Sequence, residues 1–453
     1  MTQSLWWQRA GVEPLRTPLT SDVDADVAIV GAGFTGVWTA YYLTRQRPDL
    51  RVRVLEAGRV GFGASGRNGG WCSALFPAEL PAVARGYGDA AAIAMQRTMH
   101  ATVGVIGDVV AEHGIDCDWS HGGSVYLARS DVQAARGQAM IATAREYGFG
   151  VEDYRWLDAA ATTARVSSTN VVGSVYTPHC AAVDPLKLLR GVAAAAEAQG
   201  AVINEATRVR EIAPGRVVTD SGTVRARHVI RATEAYTALL PGAARDIAPV
   251  YSLMIATEPL PPQVWNEIGL ARRETFNDLR HLVIYGQRTA DDRLAFGGRG
   301  APYHAGSAIR PEFDLNDGVH DSLAATLADL FPVLEGVRIT HRWGGPLGIA
   351  RDWWARVAYD TESGLGWAGG YVGDGVGTSN LAGRTMTHLI AGTDSPLLEL
   401  PWVNRPLRRW EPEPLRWLGA NAALTAMKIA DASETATGRP SRIAATVHRL
   451  LGT

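Results

Sequence analysis

Asp26-Val27-Ala28-Ile29-Val30-Gly31-Ala32-Gly33-Phe34-Thr35-Gly36 is the stretch from which the fold can be read. Its first five residues are apolar after the leading acid and β-branched at Val27, Ile29 and Val30. That is the pattern of a strand buried on both faces of a parallel sheet. The turn Gly31-x-Gly33-x-x-Gly36 follows at once. Val37 to Gln46 then reads as a helix with Phe34, Val37, Trp38 and Tyr41 on one face, ended by Pro48. Arg51 to Leu55 reads as a second strand, with Glu56 at its end. Gly31 permits the tight turn, Gly33 lets the backbone approach a pyrophosphate, and Gly36 lets helix and strand pack closely. The helix N-terminus offers free N–H groups and partial positive charge. Glu56, 20 residues after Gly36, is placed to accept from a ribose 2′-OH, which favours NAD or FAD over NADP.

The rest of the composition narrows the class. The chain has 453 residues, 46% hydrophobic and 20% charged, which excludes disordered, collagen-like and coiled-coil chains. Its 44 basic and 46 acidic residues give a net charge of −2, so no global field favours nucleic acid. The only lysines are Lys187 and Lys428. Cys72, Cys117 and Cys180 form no CxxC pair and cannot build a disulfide framework. Met1 to Gly11 carries no apolar signal region, and no apolar stretch reaches the roughly 18–20 residues of a membrane helix. The expectation is a soluble, cytoplasmic protein with no nucleic-acid or membrane partner and no metal.

Gly61-Phe62-Gly63-Ala64-Ser65-Gly66-Arg67-Asn68-Gly69-Gly70-Trp71 sets five glycines in the segment just after the acid-ended strand. A simple NAD fold does not need such a loop, whereas a long cofactor lying across the domain does. With this loop the chain resembles the D-amino-acid-oxidase-like family of FAD-dependent amine oxidoreductases, nearest its γ-glutamylputrescine oxidase branch through Gly63 to Gly70. Further segments in the family's order extend the resemblance: Ala182-Val183-Asp184-Pro185, Thr207-Arg208-Val209, His228 to Tyr236, Arg342-Trp343-Gly344-Gly345 and Gly370 to Val376.

The resemblance implies an α/β chain, α+β overall. A Rossmann-like, glutathione-reductase-type FAD domain (1–85, 180–245 and 340–395) interleaves with an antiparallel-sheet substrate domain (86–179 and 246–339). A helical extension, 396–453, follows, built on Leu415 to Ala430 and Ser441 to Leu451, capping the flavin domain or making a dimer contact. Non-covalent FAD is then expected on Gly31, Gly33, Phe34, Thr35, Gly36, Glu56 and Ala57; on Ala64, Ser65, Arg67, Asn68, Gly69 and Gly70; on Val209, Ala232, Thr233 and Gly345; and on Gly373, Asp374, Gly375, Val376 and Gly377. The last group is read as a glycine run preceding an apolar helix, Leu381 to Ala391, whose N-terminus steadies negative charge on the reduced ring.

Because flavin performs the hard step, the protein's part is to hold an amine, exclude water and tune the ring. His341 is the candidate for orienting substrate. Trp343, Tyr371, Trp353 and Trp354 are candidates for an aromatic wall that holds an amine by cation–π contact. Arg67 is either a support for anionic flavin or a solvent-facing loop residue. Sarcosine oxidases carry one Lys in the substrate sheet and another after the C-terminal glycine motif. Here Arg299 is the candidate for the first charge, and Val376-Gly377 occupies the second place, which points away from small α-amino acids. The leading reading is an oxidase converting a primary or secondary amine to an imine with peroxide release. The alternatives are a dehydrogenase serving a quinone or partner protein, a non-catalytic flavin-binding subunit, and an NAD-only dehydrogenase. The partners expected are an amine and oxygen or another acceptor, and the protein is expected to be a monomer or homodimer.

Overall fold

A computed structural model describes residues 4–451; the outermost residues of the segments expected at 1–85 and 396–453 lie outside the described residues. Two eight-stranded sheets organise the molecule. The first has Val23–Val30 at its centre, parallel to Val52–Leu55 on one side and to Thr223–Arg231 on the other. Ile29 stands opposite both Val54 and Ile230, so the most apolar positions of three strands meet at one level. Val202–Asn204 and Leu365–Gly369 extend the parallel set outward. The helices Phe34–Gln46, Pro185–Ala198 and Gly375–Ala391 share one continuous apolar core with these strands, which include the fully buried Val27, Ile29 and Val54.

The second sheet runs Ile339–Ile349, Ala248–Thr257, Leu294–Arg299, Ile284–Arg288, Thr275–Asp278, Ser124–Ala128, Gly173–Thr177 and Arg155–Asp158. Its pairs are antiparallel except Thr275–Asp278 with Ser124–Ala128. The helix Asp317–Leu330 backs it with Leu323, Leu327 and Leu330. A short ribbon, Trp71–Ser73 with Cys180–Ala182, stands apart from both sheets.

Three expectations need correction, and a fourth holds in part. The first helix begins at Phe34, because Gly33 is already extended and acts as its cap. The late helix begins at Gly375, so Gly375 and Gly377 lie inside its first turn. Gly377 is needed there because a Cβ would overlap the Ser73 carbonyl oxygen. Residues 340–349 belong to the second sheet, where their strand pairs with Ala248–Thr257 from Ala248↔Ile349 to Thr257↔Ile339. The tail starts on the flavin side, where Leu400 and Trp402 join the core of the first sheet, and its long helix then packs on the second sheet's flank. Asn421 bonds Tyr303, Asp431 takes the His281 and Leu282 N–H groups, and Lys428 Nζ reaches the Gly300 carbonyl at 3.2 Å.

An N-terminal helix, Leu5–Ala10, has no counterpart in the sequence reading. It holds the glycine-rich loop from behind: Ser4 Oγ donates to Gly66 O and Trp6 Nε1 to Asn68 O, both at 2.7 Å.

Helix-to-strand contact at Gly36 is the tightest point of the first motif, since a Cβ there would overlap the Gly31 carbonyl oxygen. Gly36→Ala is expected to cost ~1–3 kcal/mol through overpacking. A denaturant midpoint equal to wild type would show that the turn relaxes freely.

Candidate active site

A cavity of about 530 Å³ opens along the carboxyl edge of the first sheet, where ligands of doubly wound sheets bind. Its floor is the glycine turn. Gly31 has φ +106°, and a Cβ there would lie 2.5 Å from the Ala232 carbonyl oxygen, so only glycine lets the two strand ends come this close. Gly33, Phe34 and Thr35 line the cavity next to it. Gly33 brings no capping side chain to the Phe34–Gln46 helix, while Ser65 Oγ accepts the Phe34 N–H at 2.9 Å. The second glycine loop is thereby fastened to the first helix, and Ala64 and Asn68 join the wall. Asn68 braces that loop by donating to Ala64 O and Ser65 O and accepting from Gly70 N–H.

Glu56 and Ala57 line the cavity at the end of their strand, together with Val209, Ala232 and Thr233. The Glu56 carboxylate accepts from Ala32 N–H at 2.9 Å and Gly58 N–H at 2.8 Å. Burial raises its pKa, and these two N–H bonds oppose the rise. The group is thus fixed in place with lone pairs left for a hydroxyl.

The other end of the cavity is formed by the late helix and the loop before it: Tyr371, Gly373, Gly375 and Val376. Tyr371 Oη and Thr35 Oγ1 lie 2.8 Å apart, joining the starts of the two helices. Asp374 stands at the cap of Gly375–Ala391 yet makes no capping bond. Among the described residues its carboxylate has no hydrogen-bond or ion-pair partner. Burial pushes its pKa up to about 6 against the pull of Arg299. Arg299 is half-buried behind Gly373. Its Nη2 donates to Val372 O at 2.7 Å, its guanidinium lies 5.4 Å from the Trp353 ring, and burial lowers its pKa.

Several expected residues lie just outside the lining, Asp374 among them. Gly36, Gly69, Gly70, Gly345 and Gly377 act through close packing: Gly69 against Tyr285, Gly70 against Gln287 and Gly345 against Arg67. Arg67 neither faces solvent nor reaches the cavity. It is 9% exposed and forms a 2.6 Å ion pair with Asp314. Lys428, expected away from the substrate sheet, donates to the carbonyl of Gly300, the residue that follows Arg299.

Three of the four catalytic candidates do not line the cavity: Arg299, which stands behind Gly373, His341 and Trp343. His341 is half-buried, 2.8 Å from Thr340 Oγ1 through Nδ1, and bonded through Nε2 to Gln8 of the N-terminal helix. Its strand reaches the cavity only later, with Pro346, Leu347 and Gly348. Trp343 is fully buried, donates from Nε1 to Arg67 O at 2.8 Å and packs edge-on to Trp6. Trp354 stacks on Arg405, 3.9 Å from its guanidinium carbon. Of the aromatic wall, Tyr371 alone lines the cavity.

Glu234 is a lining residue that the sequence reading missed. It accepts from Gly370 N–H at 2.9 Å and Tyr371 N–H at 3.1 Å, with its own φ at +42°. Burial pushes it up to about 7. Its signal was available, because like Glu56 it is an acid just past the end of a central strand. Phe62, Thr207, Arg208 and Tyr236 are among the other lining residues it missed.

Two helix N-termini without side-chain caps from Gly33 or Asp374, a glycine turn and a fixed carboxylate suit a dinucleotide whose ring gains negative charge on reduction. Gly33→Asp sets a carboxylate where the phosphates would lie, and flavin absorbance per protein is expected to fall more than about tenfold. Full flavin occupancy in that variant would remove this assignment.

The family of FAD dependent oxidoreductases matches residues 26–389. The gamma-glutamylputrescine oxidoreductase of Escherichia coli is 30% identical over 379 residues, 83% of this chain and 85% of that one. A probable oxidoreductase, OrdL, of Haemophilus influenzae is 29% identical over 391 residues, 84% of this chain and 86% of that one. Glycine oxidase from Geobacillus kaustophilus superposes with a TM-score of 0.71 at 21% identity, covering 84% of this chain and 99% of its own. The match spans the glycine turn, the acid-ended strand and the late helix alike, and the chain belongs to the FAD dependent oxidoreductase family, as an enzyme that uses FAD.

Proposed function

We propose that the protein is an amine oxidase with non-covalent FAD, working in the cytoplasm. A primary or secondary amine is oxidised to an imine, which water hydrolyses to a carbonyl compound and free amine, and oxygen takes the electrons to give hydrogen peroxide. Bound FAD supplies the two-electron acceptance at the carbon bearing nitrogen. The residues of this chain position, screen and tune. The observation that carries the reading is the uncapped, half-buried carboxylate of Asp374, which stands between the lining residues Gly373 and Gly375. A carboxylate held there without a partner is a counter-ion for an ammonium group, as an extended amine with a distal charge would offer. The identity to gamma-glutamylputrescine oxidoreductase supports a substrate of this kind. Arg299 supplies the fixed positive charge beside the ring end, and Tyr371 closes the wall between the two helix starts.

The test is anaerobic absorbance of the purified protein with a panel of amines, followed by air. Bleaching by an amine with fast recovery in air is the expected result. Slow recovery would favour the dehydrogenase reading, and a yellow protein that no amine bleaches would overturn the proposal.

Asp374 gives a pH signature. Below about 6 its carboxyl is neutral, and above about 6 it is an anion. The KM for a cationic amine is therefore expected to fall as pH rises through that value. In Asp374→Asn this step should vanish and KM should rise roughly tenfold, the effect of losing about 1.4 kcal/mol of ion pairing. A step that persists in the variant would clear Asp374 of this role. His341→Ala, by contrast, is expected to leave the rate of flavin reduction within about twofold of wild type, since surface changes of this kind are usually small. A large loss would return His341 to the reacting centre.

A further inference from the structure

The tail helix Leu415–Thr437 lies beyond residue 389, where the match to the family ends, and only Arg416 and Ala430 of its 23 residues are buried. Its charged residues all turn to the body of the molecule. Arg416 Nη1 donates to Ala244 O at 2.8 Å, and Lys428 Nζ donates to Gly300 O. Asp431 accepts from the His281 and Leu282 N–H groups, and Glu434 pairs with Arg136 at 2.8 Å. The opposite face is left without charge. On it Leu415, Leu418 and Ile429 are 60%, 52% and 50% exposed. They share the face with Ala422, Thr425, Ala432 and Ala436, all exposed as well. From Leu415 to Ala436 these positions follow one another by three and four residues, the spacing of a helix-pairing seam. The seam is about 32 Å long at 1.5 Å per residue.

The order of large and small residues along the seam identifies what covers it. We propose that this face is the interface between two copies of the chain, with the two helices antiparallel about a two-fold axis at Thr425. That axis sets Leu415 against the partner's Ala436, Leu418 against the partner's Ala432 and Ile429 against the partner's Ala422. Every large side chain then meets a small one, the condition for close packing without gaps or overlap. A parallel pair would set each residue beside its own copy and leave the layers of Ala422, Ala432 and Ala436 underfilled.

The residue on the axis suits a dry contact. Thr425 Oγ1 donates to Asn421 O of its own helix at 2.9 Å, so its hydroxyl is satisfied without water or partner. Because no charge stands on the seam, closing it desolvates no ion. The same face is used by both subunits, so the contact closes at two copies and adds no third. A single helix pair is at the small end of specific interfaces, and a dissociation constant on the order of micromolar is expected.

The test is sedimentation velocity of the full-length, yellow holoenzyme from about 0.1 to about 100 μM, on either side of that constant. A monomer–dimer equilibrium is expected. Thr425→Asp brings two like charges together on the axis and should leave only monomer. Leu418→Ala opens a gap and Ala432→Leu crowds the seam, and each should weaken the dimer at least about tenfold. The double variant Leu418→Ala/Ala432→Leu exchanges the sizes of a facing pair. It should return to within about threefold of wild type, a rescue that independent sites do not give. Flavin content should equal wild type in all four, since none of these residues lines the cavity. A monomer at every concentration would overturn the proposal. So would a dimer that Thr425→Asp leaves intact, or a double variant no tighter than the single ones.

Discussion

The Ala232 carbonyl oxygen occupies the space where a side chain on Gly31 would begin. That close approach lets two parallel strands end side by side, and everything that lines the cavity is placed from there. The first helix can start at once, because Gly33 is extended and Gly36 lies against Gly31. The Thr223–Arg231 strand delivers Ala232, Thr233 and Glu234 to the same edge. The acid-ended strand delivers Glu56 from the other side. A larger residue at Gly31 would part the strands, and the lining would lose its floor.

The two sheets are held in register by buried polar contacts that a purely apolar seam could not make specific. Arg67 of the glycine loop reaches Asp314 and Gly344 on the far side. Trp343 of the second sheet answers by donating to the Arg67 carbonyl. Losing one partner of such a buried pair typically costs about 3–5 kcal/mol, because the other charge is left in the interior. Burial raises the Asp314 pKa, and Arg67 opposes it, as this arrangement requires. The N-terminal helix completes the seam. Its Ser4 and Trp6 take carbonyls of the glycine loop that would otherwise face the interior.

The glycine turn, the acid-ended strand and the late glycine helix were legible because each is a local pattern whose spacing the chemistry dictates. Residues such as Ala57, Val209 and Thr233 came with them, carried by the family resemblance. What was not legible depends on side-chain direction across long sequence separations. His341 and Leu347 lie on one strand, yet only Leu347 meets the cavity. Arg67 was read as a flavin support or a solvent-facing residue, and the deciding fact is an aspartate 247 positions away. Lys428 reads as a tail residue until the tail folds back onto Gly300. The start of the late helix was misplaced because glycine is a poor helix former, and the contact with Ser73 that overrides this propensity is invisible in sequence.

The acids at the strand ends follow from the glycines beside them. Tight glycine turns expose backbone N–H groups, and a buried N–H without an acceptor is costly. Glu56 satisfies Ala32 and Gly58, and Glu234 satisfies Gly370 and Tyr371. Each carboxylate is thereby an acceptor for the turn and a wall of the cavity at once. Burial raises both pKa values, Glu234's to about 7, and the N–H donors that hold the turns oppose the rise. Asp374 departs from this rule. It sits beside a glycine turn and at a helix start, takes no N–H from either, and retains only the distant pull of Arg299. Two acids brace the turns and the third does not, and a half-buried carboxylate without a hydrogen-bond donor is free to meet a cation.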